Sequence, residues 1–137
     1  MGRIMSIDYG HVRSGIAVTD SLRITANALT TVITKNIFDF LDTYLSKEII
    51  DILVVGYPRN LKYELADITK EIDIFISKFS EKYPNIKVEL IDERFTSKMA
   101  FQTMIDSGIG KKARQNKALI DKISATIILE NYLDWNK

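Results

Sequence analysis

Three short acidic clusters stand far apart in this 137-residue chain, each at the end of a predicted strand or on a predicted helix. Asp8 ends the apolar run of IMSIDYGHVRSGIAVTD and leads into a glycine-bracketed turn. Asp92 and Glu93 close the β-like run of VELIDERFTS, and Asp121 lies in the apolar helix of ALIDKISATIIL, one turn before Ala125. A carboxylate set against an apolar surface is costly unless it is paired, protonated or bound to a metal. Three of them converging would form a site for hard divalent cations, which take carboxylate and water oxygens and need no histidine or cysteine. Each cluster also has a plainer use. Asp8 suits a hairpin turn. DERFTSKMA could carry a strand-end ion pair followed by a helix capped by Thr96 or Ser97. Asp121 is favourable in the first turn of a helix through the helix dipole. Adjacent strand residues face opposite ways, so only one of Asp92 and Glu93 can enter a shared site, and the residues alone leave open which.

Around the first cluster, Gly10 and Gly15 can adopt positive φ and let a phosphate or a second chain segment approach closely. Arg13 can hold a phosphate or pair with a carboxylate, and Arg94 has the same two uses. In VVGYPRN a buried strand meets a proline turn, where Tyr57, Arg59 and Asn60 could face a substrate or simply form the turn. From Lys98 to Lys122 six basic residues (Lys98, Lys111, Lys112, Arg114, Lys117 and Lys122) outnumber the two acidic ones, Asp106 and Asp121. Such a stripe binds phosphates even when the net charge is only +1; a solvated loop is the alternative.

These residues need elements to bring them together. Residues 3–8 alternate as a strand, and Ile16–Thr19 reads as its hairpin partner across the Gly10–Gly15 turn. The β-branched stretch 25–34 predicts a third strand. Asn36 can cap a helix over 37–48. Ile52–Gly56 predicts a central strand buried on both faces, ended by Pro58. A helix follows to about Tyr83, then a strand over 86–91, a helix from Thr96 or Ser97 to about Ile105, a loop over 107–117, and a helix over 118–133. The order β-β-β-α-β-α-β-α-α predicts an α/β domain with a mixed five-stranded sheet, its first three strands antiparallel, and helices on both faces. Carboxylates after the first and fifth strands then lie near the carboxyl ends of the sheet, where open α/β folds place ligands.

The bulk numbers are compatible. A chain of this length predicts one domain, residues 1–137, able to bury about two-thirds of its unfolded surface. An apolar fraction of 46% argues against disorder. The absence of cysteine excludes a disulfide framework and thiolate metal sites and suits a reducing compartment. No apolar run predicts a membrane span or a signal h-region, so the expected location is cytoplasmic. The single histidine, His11, supports neither a zinc site nor a catalytic triad, and there is no Gly-x-Ser-x-Gly or Walker lysine motif.

Taken in order, IDYGHVRSGIAVTD, VVGYPRN, DERFTS and IDKISATIILENYL resemble the YqgF family over nearly the whole chain. These are bacterial Holliday-junction-resolvase-like nucleases with a ribonuclease-H-like fold, linked to maturation of the 16S ribosomal RNA precursor. The chain departs from the family at Val12, where lysine is common, after the proline turn, where Gly-Thr is frequent, and at Ser124, where alanine is usual. The resemblance places the three acidic positions on Asp8, Glu93 and Asp121. It implies a metal-dependent endo- or exonuclease using Mg2+ or Mn2+, with two ions as the expected number. Two ions can both activate a water and stabilise the leaving oxygen of a phosphodiester. Gly10, Arg13, Gly15, Arg59, Arg94, Lys111, Lys112 and Arg114 are the candidate substrate contacts. The expected partner is structured RNA or branched DNA, bound by a monomer or homodimer, and no membrane. Two other readings compete. A non-catalytic nucleic-acid- or protein-binding module could use the same fold without needing Mg2+. The pattern from Asp8 to Gly15 also occurs in actin-like phosphotransferases, which need two such domains and a bound nucleotide.

Overall fold

The computed structural model describes residues 2–57, 65–92 and 117–135. The elements are β1 (Arg3–Asp8), β2 (Arg13–Thr19), β3 (Ala26–Ile33), a short 3-10 helix (Thr34–Asn36), α1 (Ile37–Leu45), β4 (Ile50–Tyr57), α2 (Leu65–Lys82), β5 (Lys87–Asp92) and α3 (Lys117–Trp135). The sheet order is β3-β2-β1-β4-β5. β1 pairs antiparallel with β2, and β2 with β3, while β4 and β5 run parallel to β1. The expected mixed five-stranded sheet with an antiparallel first half is therefore present.

β1 and β4 are central and covered on both faces, which is why they read as nearly continuous apolar runs. Side chains alternate between two cores. Met5, Ile7, Ile16, Val18, Leu53 and Val55 pack with Leu41 of α1 and Ile72, Phe75 and Phe79 of α2. Ile4, Ala17, Val54 and Ile91 pack with Ala125, Ile128, Leu129 and Tyr132 of α3 on the opposite face.

Two local expectations change. β2 begins at Arg13, not Ile16, so the turn shrinks to residues 9–12 and Gly15 becomes a strand residue. Asn36 precedes α1 but makes no side-chain capping bond. Instead α1 grows directly out of the 3-10 turn, whose Thr34 is buried and tied back to the hairpin. The helix expected from Thr96 or Ser97 lies outside the described residues, as does the basic loop up to Asn116.

Candidate active site

The site builds outward from the pairing of β1 with β2, which sets Asp8 directly opposite Gly15. Alternation along β1 puts Asp8 on the face of Ile4 and Ser6, the face covered by α3. Small residues let α3 come close there. The Ser6 hydroxyl donates to the carbonyl of fully buried Ala125 at 2.6 Å, and Ala17 is fully buried beside it. At Gly15 the approach is closest: a Cβ added there would lie 1.9 Å from the Asp121 carbonyl oxygen. Gly15 is thus flanked by Asp8 across the strands and by Asp121 above it. Neither Gly10 nor Gly15 has φ in the left-handed range. Gly15 is required for the close approach of a second segment, which is α3.

Arg13 shares this face and meets Asp121 through Nε–Oδ2 at 3.1 Å. Of its two uses the structure displays the carboxylate pair. Asp8 and Asp121 both also take part in further interactions. The 9–12 turn beside Asp8 is held by hydrogen bonds. The Thr34 hydroxyl donates to the Gly10 carbonyl at 2.7 Å and lies 2.8 Å from the Ser14 hydroxyl, and the Thr34 amide donates to the Val12 carbonyl at 2.8 Å. His11 closes the turn against α2, its Nδ1 2.5 Å from Glu71 Oε2. Burial, and then the charge of Glu71, push the Tyr9 phenol up. Sequence reasoning missed this anchoring because its partners are far away in the chain.

Other candidates fall elsewhere. Tyr57 packs toward α2, its hydroxyl 3.3 Å from Asp73, and so stands on the face away from Asp8. On β5, Val88 packs with the α1/α2 core, whereas Ile91 packs with α3, and Glu89 is hydrogen-bonded to Tyr132 of α3. Asp92, paired in register with Tyr57, therefore belongs by alternation to the face opposite Asp8. Arg59, Glu93, Arg94, Lys111, Lys112 and Arg114 lie outside the described residues. Among the described residues no group of three potential metal ligands occurs; Asp8 and Asp121 form the described part of the predicted set. Their oxygen-only chemistry, beside a sheet position kept free of any side chain, fits Mg2+ or Mn2+.

This mixed five-stranded sheet of order β3-β2-β1-β4-β5, covered by helices on both faces, defines an α/β domain of the ribonuclease-H-like class. The fold matches Thermus thermophilus RuvC, solved in complex with a Holliday junction substrate, with a TM-score of 0.62 at 17% identity, over 98% of this chain and 96% of that one. The family RuvX, described as Holliday junction resolvase, matches residues 2–135, and the chain belongs to it and is a nuclease of that family. A protein of Flavobacterium johnsoniae named "Putative pre-16S rRNA nuclease" is 52% identical over 97% of this chain and 96% of its own length. A Phocaeicola vulgatus protein of the same name is 49% identical over 100% of this chain and 99% of its own.

Proposed function

We propose that this chain hydrolyses phosphodiester bonds of structured nucleic acid, either the 16S ribosomal RNA precursor or branched DNA, with two Mg2+ or Mn2+ ions. The observation that carries the reading is the convergence on Gly15. It sets Asp8 of β1 and Asp121 of α3 on one face of the sheet, at the carboxyl end of β1. Asp8, Glu93 and Asp121 would hold the ions. Glu93 is favoured over Asp92 because Asp92 falls on the face of Tyr57, away from Asp8. When bound, the ions would supply a water of lowered pKa and charge to offset the leaving oxygen.

The chain's own residues do the rest. Gly15 sets the height of α3 and hence of Asp121. Arg13 holds the Asp121 carboxylate from one side. Arg59, Arg94, Lys111, Lys112 and Arg114 would hold the phosphate backbone, contacts that give affinity and little sequence information.

The test is cleavage of a four-way DNA junction and of a structured 16S precursor RNA, with and without Mg2+ or Mn2+, wild type beside Asp8→Asn. Metal-dependent cleavage abolished by the substitution is expected, and the faster substrate identifies the target. Undiminished cleavage by Asp8→Asn would overturn the metal assignment. Binding without cleavage by the wild type would favour the non-catalytic module.

A further inference from the structure

A second site lies across the sheet from Asp8 and Asp121. The Tyr9 turn, the short helix before α1, α1 itself and α2 enclose a cleft of about 300 Å³. Its floor is aromatic, with the Tyr9 and Phe38 rings packed against buried Phe75 at 5.3 and 5.4 Å between centroids. Lys35 from the short helix and Lys78 from α2 stand on its rim, both exposed. Neither has an acidic partner among the described residues. Glu71 lines the wall. Its buried Oε2 is held 2.5 Å from the ring nitrogen of His11.

We propose that this cleft takes one unpaired nucleotide of the nucleic-acid strand, its base on the aromatic floor with an amino edge toward Glu71, and its flanking phosphates on Lys35 and Lys78. The inference rests on the nucleic-acid reading above and extends it to the far face of the sheet. The volume is at the small end of ligand sites, the size for a single nucleotide and too small for a duplex. Aromatic platforms hold bases by stacking, which raises affinity about 5- to 150-fold per base. Two unpartnered lysines on different elements suit two successive phosphates of a strand, whereas a free mononucleotide offers one. A carboxylate only accepts hydrogen bonds, so Glu71 suits the exocyclic amino edge of cytosine, adenine or guanine better than uracil, whose one N3–H donor is flanked by two carbonyl oxygens that repel the carboxylate. Tyr9 directly follows Asp8, so a strand seated here reaches the acidic face by rounding the 9–12 turn.

The test uses the full chain with Asp8→Asn in a chelating buffer, isotope-labelled, titrated with the trinucleotides CCC and UUU and with CMP, and read by backbone amide shifts. Shifts at Tyr9, Phe38 and Phe75 are expected, with CCC bound about tenfold tighter than UUU and tighter than CMP. The double variant Lys35→Ala/Lys78→Ala changes only exposed side chains. It should weaken CCC and reduce the salt slope by about 1.4, from roughly 0.7 per single-strand phosphate contact. Glu71→Gln should bring CCC and UUU together. Shifts confined to position 8, Arg13 and Asp121, or CCC binding unchanged in the double variant, would overturn the proposal. Equal CCC and UUU affinities in the parent would overturn the role of Glu71, and CMP binding as tightly as CCC would make this a free-nucleotide site instead. No metal or turnover is involved, so failure of the cleavage experiment leaves this result standing, and failure here leaves the acidic-site reading standing.

Discussion

Arg13 and Asp121 are both partly exposed, so their ion pair contributes at most about 1 kcal/mol by itself. Its greater effect is on charge. With Asp8 and Asp121 on one face, the guanidinium supplies in metal-free protein part of the positive charge that bound cations would bring. Arg13→Gln should therefore lower stability in chelator by about 0.5–1 kcal/mol and tighten Mg2+ binding, which urea denaturation and titration calorimetry measure. Looser Mg2+ binding would mean that Arg13 serves mainly to hold the carboxylate in place. Asp8 and Asp121 stand out in the sequence as charges inside apolar runs, and the family resemblance singles out both. Arg13 was readable only as a choice between phosphate and carboxylate, since its partner lies 108 positions away. Gly15 was seen as a residue permitting close approach, but the shorter turn and the identity of the approaching segment depend on how α3 docks. The anchoring of His11 on Glu71 left no local signal.

At the scale of elements, the placement of α3 rests on a missing side chain at one end and a polar clasp at the other. A Cβ on Gly15 meets backbone, not the end of a flexible side chain, so α3 must lift. Gly15→Ala should cost about 1–3 kcal/mol and abolish metal-dependent cleavage, even at temperatures where the variant remains folded. Retention of full activity would show that Asp121 is placed by something else. At the other end Tyr132 bonds Glu89 of β5. The Lys87 and Tyr132 bonds hold the Glu89 carboxyl below its usual range, so its stabilisation is present above the ordinary carboxylate pKa and is lost as pH falls through the lowered value. Burial, then Glu89, push the Tyr132 phenol up to about 12. Its contribution is complete below the ordinary value of 10.0 and disappears as pH rises toward about 12. Tyr83, pushed up to about 12 by burial and by Asp42, adds to the same alkaline loss. Tyr132→Phe should shrink, and Tyr132→Phe/Tyr83→Phe should shrink further, the fall in urea midpoint between pH 10 and 12, with the raised phenols of Tyr9, Tyr44 and Tyr57 leaving a remainder; an unaltered alkaline limb would exclude both tyrosines. The strands were readable from β-branched runs and alternation. Asn36 looked like a cap because its residue type is right, yet the 3-10 turn already satisfies the start of α1.

For the whole molecule, a net charge of +1 gives no broad attractive field, so affinity for nucleic acid must come from local basic residues. Replacing Lys111, Lys112 and Arg114 together with alanine should reduce the salt dependence of duplex DNA binding by a slope of about 0.9 per lost phosphate contact; an unchanged slope would remove that loop from the interface. Among the described residues no helix is long and apolar enough to cross a membrane. The sheet order could be anticipated only as far as the hairpin and the alternation of strands with helices. That α3 would cross β1, β2 and β3 depended on the small residues Ser6, Gly15 and Ala17 acting together, and these are separated in sequence from Asp121 and Ala125, the positions they receive, by as much as 119 residues. This separation also has a consequence in time. At a synthesis rate of about 5–20 residues per second, Asp121 is made roughly 5–20 s after Arg13. During that interval Ile4, Ala17 and Val54 have no helix to cover them, and the growing chain presents a sticky sheet face with no completed acidic centre. The apolar face is thus exposed for seconds before Asp121 exists to stand beside Asp8.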